Sequence, residues 1–231
     1  MKAFALTFVF LLGAALRANP VAMPTLVMTA ENVIVGVSQE IITVEGTYRF
    51  HVIPDLAPDA RPDRFPIHVW MRLPIPVPQS EKVGARLMSE TNPQLIFHGT
   101  TIKPEDTYGI FSTLPVVDGV KFMAVEFDIG NISVPEIEVT IKYTQRVIRR
   151  DGKMWAYYMP LIEGFESYEK PLGLKSSSYA VSFEAHNGAS IKLRSKWTKI
   201  LQATSVLISV EPRNREVLEV EIMPNQYLRG D

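Results

Sequence analysis

Polar and apolar residues alternate along most of this chain with a period of two. Ile42, Val44, Gly46, Tyr48, Phe50 and Val52 fall on one side of an extended segment, and Thr43, Glu45, Thr47, Arg49 and His51 on the other. Side chains of a strand point to opposite faces in turn, so this is the pattern of a half-buried β-strand. Ile67, Val69, Met71 and Leu73 repeat it against His68, Trp70 and Arg72. So do Ile137, Val139, Ile141 and Tyr143 against Glu138, Thr140, Lys142 and Thr144, and Leu218, Val220 and Ile222 against Glu219 and Glu221. The chain reads as about a dozen such runs, starting near Leu26. Only Ser80 to Met88 is a helix candidate, and Gly84 weakens it.

Turn residues then suggest registers. Asp118-Gly119, Asp151-Gly152 and Asn187-Gly188 are hairpin signals. A three-residue loop at His186-Asn187-Gly188 sets Phe183 opposite Ile191 and Val181 opposite Leu193. A two-residue loop sets them opposite Lys192 and Arg194 instead. A slip of one residue moves every side chain to the other face, so burial selects the longer loop. The same reasoning at Arg150-Asp151-Gly152 pairs Val147 with Trp155 and Gln145 with Tyr157, and places both aromatics in the core. On this reading a two-residue turn would leave the indole outside. Pro74, Pro76 and Pro78 are read as ending the strand at Leu73, because proline cannot donate to a ladder.

Together these features predict an all-β protein, an antiparallel β-sandwich of immunoglobulin-like or enlarged form. Residues 19–231 are expected to make one domain. The irregular stretch from Glu163 to Ser178 permits a division into β modules at 19–170 and 171–231 instead.

The N-terminus sets the compartment. Lys2 precedes an apolar run from Phe4 to Leu16, too short to span a bilayer comfortably, and small residues follow. Residues 1–18 are therefore read as a signal peptide cleaved after Ala15 or Ala18, giving a secreted or periplasmic protein. No later stretch approaches the roughly 20 apolar residues of a membrane helix, so no transmembrane segment is expected in the mature chain. The absence of cysteine removes disulfides and lipid-modified cysteine from consideration. With 24 basic and 25 acidic residues, the chain lacks the basic excess that a nucleic-acid partner would want.

Local catalytic signatures are missing: no G-x-S-x-G elbow, no H-E-x-x-H, no glycine-rich phosphate loop and no thiol. No catalytic residue and no cofactor is assigned. The histidines offer one metal hypothesis. If the strands around His51 and His68 are antiparallel neighbours, these two imidazoles stand opposite or diagonal to each other. They could then share zinc or copper, completed by a loop carboxylate such as Asp63. In the same register Arg49 lies over Trp70, a small platform for a ligand. His98 is expected to end a strand and His186 to sit in a loop. Asp55, Asp59 and Asp63 lack the glycine turn of a calcium loop. Lys192, Arg194 and Lys196 form a basic row, read as lying beside the acidic row of Glu219 and Glu221.

The functional expectation is an exported, non-enzymatic β-sandwich that binds or scaffolds in the envelope or extracellular space, with a protein or glycan partner. The alternative is a carbohydrate-binding module built on Trp70, and the third reading is a hydrolase with a dispersed site. Export is directly testable: mass spectrometry of the exported protein should find it beginning after Ala15 or Ala18, and an intact Met1 would contradict the reading.

Overall fold

The computed structural model describes residues 26–52, 66–78, 91–103, 116–117, 119–159, 179–194, 199–201, 205–209 and 217–224. The signal segment, the helix candidate Ser80 to Met88 and the boundary near residue 170 lie outside the described residues. Among those described, no helix is long and apolar enough to cross a membrane. The strands are β1 Leu26–Val37, β2 Ile41–Val52, β3 Ile67–Pro78, β4 Gln94–Phe97, β5 Thr100–Ile102, β6 Val116–Val117, β7 Val120–Ile132 and β8 Glu136–Arg146. They continue as β9 Ile148–Arg150, β10 Lys153–Tyr158, β11 Tyr179–Ala185, β12 Ala189–Leu193, β13 Lys199–Leu201, β14 Ser205–Ser209 and β15 Leu218–Pro224.

These strands form three sheets. The largest has eight strands in the order β13-β14-β11-β1-β2-β8-β4-β5, and the others are β12-β15-β10-β9 and β3-β7-β6. One hydrophobic cluster joins them into an all-β sandwich. It takes Val33, Val35 and Ile141 from the large sheet, Leu73 and Phe127 from the three-stranded sheet, and Leu218 and Val220 from the four-stranded one. Alternation is the cause: β2 and β8 bury every second residue, as their sequences demand. One pairing departs from the antiparallel expectation. β1 and β11 run parallel, from Glu31 opposite Tyr179 to Val37 opposite Ala185. A period of two is the same in both orientations, so hydrophobic pattern could not distinguish them.

Three register expectations are corrected by the structure. β3 does not end at Leu73 but continues to Pro78, which stands opposite Val120. It is an edge strand of its sheet. Pro74, Pro76 and Pro78 are all two apart, so their missing N–H groups fall on the side away from β7. At Asp151-Gly152 the loop has two residues, with φ of 51° and 72°, a type I′ turn closed by Arg150 opposite Lys153. Trp155 therefore faces Ile148 rather than Val147, yet it is only 5% exposed. The phase changes before the turn, at Val147. β8 buries its odd-numbered residues as far as Gln145, the chain leaves that sheet at Val147, and β9 then buries Ile148. At Asn187-Gly188 both φ angles are again positive, and the Ala189 N–H donates to the His186 carbonyl at 3.1 Å. The flanking strands then separate. β11 lies between β1 and β14, and β12 runs along β15, so Phe183 pairs with Val35 and Val206, and Ile191 with Ile222. The expected Phe183–Ile191 hairpin is replaced by a corner between sheets.

β10 is buried on both faces. Ala156 and Tyr158 enter the main core, while Trp155 and Tyr157 enter a second cluster with Val120, Phe122, Ile148 and Val217. Tyr158 also anchors a polar chain through the main core. Its hydroxyl donates to Oε1 of Glu31 at 2.6 Å, and Glu31 is 0% exposed. The Tyr48 hydroxyl lies 2.8 Å from that of Tyr158. A phenol has one proton, and Tyr158 gives its own to Glu31, so Tyr48 is the donor in the second bond. Burial, and next the nearby Glu31 carboxylate, hold both phenols well above their ordinary pKa, so they stay protonated donors.

Gly46 makes room for this chain, because a Cβ there would run into the Tyr48 ring. Gly152, by contrast, has φ of +72° and open space around it. Gly152→Ala should therefore cost only backbone strain, about 1 kcal/mol. Gly46→Ala should cost more, because about 1–3 kcal/mol of overpacking adds to a disturbed Tyr48–Tyr158 bond. Urea midpoints decide the order, and a reversal would mean that Tyr48 is not seated over Gly46.

Candidate functional site

The outer face of the eight-stranded sheet carries a hollow. Strand register brings outward side chains into rows across β1, β2, β8 and β4. Ile34, Glu45, Lys142 and Gln94 form one row, and Gly36, Thr43 and Thr144 form the next. Gly36 has no side chain, so the second row sinks at that point. A Cβ on Gly36 would collide with Oγ1 of Thr43 and come within 3.1 Å of the His186 ring. His186 is thus a wall of the hollow, presented by the Asn187-Gly188 turn. That turn is fastened by the His186 N–H, which donates to the Val37 carbonyl at 2.8 Å, and by Gln39 Nε2, 3.5 Å from the Gly188 carbonyl. Asn92, with φ of 39°, and Gln94 complete the opposite side. The enclosed space is about 370 Å³ and open to solvent, within the range of small-molecule sites, about 300–1,000 Å³.

The charges of Glu45 and Lys142 in the hollow compensate each other. Oε1 of Glu45 lies 2.9 Å from Nζ of Lys142, and Nε2 of His186 lies 3.9 Å from a Glu184 carboxylate oxygen. Thr43, Thr144, Asn92 and Gln94 supply neutral groups that both donate and accept. Ile34, 45% exposed, supplies apolar surface.

The sequence-predicted sites fare differently. β2 is flanked by β1 and β8, while β3 belongs to the sheet with β7, so the strand pairing meant to juxtapose His51 and His68 is not formed. His51 lies on β2 in the eight-stranded sheet and His68 on β3 in the three-stranded one. His51 stands opposite Glu136 and Val27. His68 places Nε2 2.8 Å from Oδ1 of Asp128, and the same oxygen accepts the Gly130 N–H at 2.8 Å. That contact braces the bulge where the ladder shifts between Val69 and Trp70. Arg49 pairs with Glu138 at 2.7 Å, and Trp70 stands opposite Asp128, so the expected Arg49–Trp70 pairing is absent for the same reason. Among the described residues, no group of three or more metal-ligating side chains gathers. Asp55, Asp59, Asp63 and Lys196 lie outside the described residues. His98 does end a strand, entering a tight turn with Gly99 in which both φ angles are positive.

The basic row meets the acidic one. Lys192 stands opposite Glu221, and Arg194 bonds Oε2 of Glu221 through Nε at 3.1 Å and Nη2 at 2.5 Å. Lys153 reaches Oε1 of the same carboxylate at 2.9 Å. Hydrogen bonds from Arg194 first, then Lys153, hold the Glu221 carboxyl below the usual carboxylate range. The guanidinium groups of Arg150 and Arg194 lie 5.1 and 5.4 Å from the Trp155 ring centre.

Two features escaped the sequence reading. Glu31 is a carboxylate in phase with buried Val33, Val35 and Val37, and that phase was a usable signal. The hollow left no such trace, because its residues meet only through cross-strand register.

No family model matches the sequence, and no curated protein matches it. Among solved structures, the chain is similar to a candidate nutrient-binding protein from Legionella pneumophila, with 8% identity, a TM-score of 0.49, and 88% of this chain and 68% of that chain covered. It is also similar to an M1 zinc metallopeptidase from Deinococcus radiodurans, with 9% identity, a TM-score of 0.36 and coverage of 87% and 42%. Leukotriene A4 hydrolase from Saccharomyces cerevisiae gives 7% identity, a TM-score of 0.42 and coverage of 86% and 29%. The chain spans less than half of either of these last two proteins. Likenesses this distant say nothing about what the chain binds or does.

The Glu221 cluster yields a pH prediction. A carboxyl whose pKa is lower in the folded than in the unfolded chain stabilises the fold above its unfolded pKa, and that contribution fades as pH falls through the folded value. Relative to wild type, Glu221→Gln should melt earlier at pH 7, and the difference should close as pH drops below the ordinary value of 4.5. A difference that stays constant down to pH 2–3 would show that the ion pairs contribute nothing.

Proposed function

We propose that the chain is an exported, non-catalytic binding component of the envelope or extracellular space, and that the hollow over Gly36 is its ligand seat. The observation that supports this reading most is how the hollow is built. Its hydrogen-bonding side chains come from β2, β4 and β8, with Asn92 and the His186 turn at its sides. Groups held on strands keep their positions better than groups on loops, which lowers the ordering cost of binding. Thr43, Thr144, Asn92 and Gln94 are suited to holding a ligand by hydrogen bonds. The N-terminal apolar segment supports export.

The test is amide mapping by NMR. Titrating labelled protein with the low-molecular-weight fraction of its native culture or envelope extract should shift amides at Gly36, Thr43, Glu45, Lys142, Thr144 and His186. Shifts confined to other surfaces, or none at all, would remove the hollow as the seat.

A further inference from the structure

We infer that the hollow takes a neutral polyhydroxylated ligand, a saccharide unit whose adjacent hydroxyls engage the Glu45–Lys142 pair. The inference rests on the hollow being the ligand seat and adds the chemical class of its occupant. The ion pair supplies the first reason. Oε1 of Glu45 lies 2.9 Å from Nζ of Lys142, and one bond occupies only one carboxylate oxygen and one ammonium N–H. The carboxylate thus keeps a second oxygen, and the ammonium keeps further N–H groups directed elsewhere. One hydroxyl of a vicinal diol can donate to Glu45 while its neighbour accepts from Lys142, and the salt bridge stays intact. Both new bonds are charge-assisted, the stronger kind.

Charged ligands gain less from the same geometry. An anion drawn to Lys142 meets Glu45 beside it, and a cation drawn to Glu45 meets Lys142, so attraction and repulsion nearly cancel. A compact zwitterion can meet the same two spare positions, so the neutral class rests on the hydroxyl-matching surface around the pair. The remaining surface agrees with a neutral ligand. Thr43, Thr144, Asn92 and Gln94 donate and accept as sugar hydroxyls do. Ile34, 45% exposed, offers apolar surface to the C–H face of a sugar ring, and His186 also lines the hollow. This places saccharide recognition on the large sheet, in a different sheet from Trp70.

Calorimetric titration of the exported chain tests the class. The probes are glucose, galactose, N-acetylglucosamine, maltose and cellobiose, with glutamate, lysine and citrate as charged comparators. At least one saccharide should bind with a Kd of about 1 mM or tighter. Thr144→Val, which removes a ligand hydroxyl's partner, and Glu45→Gln, which replaces a charge-assisted acceptor with a neutral amide oxygen, should each weaken it about tenfold. Thr47→Val, on the same outer face one row away from Glu45 and opposite Asn32 and Thr140, should leave it within about twofold. Thermal melts check that each variant folds. If a charged comparator binds and is lost in Thr144→Val while no saccharide binds, the saccharide class is overturned and the seat stands. Saccharide binding that Thr144→Val and Glu45→Gln both leave unchanged overturns the seat. Silence from every saccharide up to about 10 mM overturns the class, and the amide mapping then decides the seat independently.

Discussion

A carboxylate placed in an apolar core constrains everything around it. Removing such a group from water costs several kcal/mol unless hydrogen bonds replace the lost hydration. Glu31 sits at 0% exposure among the inward residues of β1, and Tyr158 answers it from the opposing sheet. Tyr158 can serve only if its own oxygen is satisfied, which Tyr48 does. Tyr48 can reach there only because Gly46 leaves the space for its ring. Four residues, scattered between positions 31 and 158, are thus fixed by one requirement. Valine and leucine faces can pack at several offsets. A chain of two hydrogen bonds at 2.6 and 2.8 Å is satisfied at one offset only, so it sets how the four-stranded sheet sits on the large one.

That inner constraint has an outer consequence. Strands pinned through every second residue have no freedom to rotate the alternate residues. Glu45, Lys142, Thr43 and Thr144 therefore hold fixed positions on the outer face, with inward Val44 and Tyr143 as their neighbours in sequence. The edges are handled separately: β3 presents prolines on its free side, which blocks further strand addition there. Trp155 is covered by two guanidinium groups, and the Glu221 carboxylate holds one of them, that of Arg194.

Strands and their buried faces were legible from alternation alone, as β2 and β8 show. Which strands become neighbours was not. Ile67 to Leu73 reads equally well beside β2 or beside β7, because both would bury the same residues. Hairpin reasoning failed at Asn187-Gly188 for a related cause. A tight turn fixes the direction of the next strand, but sheet membership depends on what else is available to pair, and β15 competes successfully for β12. At Asp151-Gly152 the turn signal was sound while its inferred length was wrong. Burial of Trp155 was argued from an uninterrupted β8, and the phase change at Val147 carries no marker in the residues around it. The His51–His68 and Arg49–Trp70 hypotheses inherited the same missing information.

The two glycines of the β1–β2 pair show what sequence could not separate. Gly36 and Gly46 both interrupt runs of larger residues, and both leave a space that a Cβ would have occupied. The inner space is filled by the protein's own aromatic ring, since a void in the core forfeits contacts on every side. The outer space is bordered rather than filled, by Thr43 and by a histidine held where the β1–β11 ladder ends. Solvent can occupy that space at no packing cost, while the His186 N–H bond to Val37 continues the parallel β1–β11 ladder that ends at Val37 opposite Ala185. The wall of the hollow is thus held by the fold itself, and a wall held in that way need not be ordered when something enters the hollow.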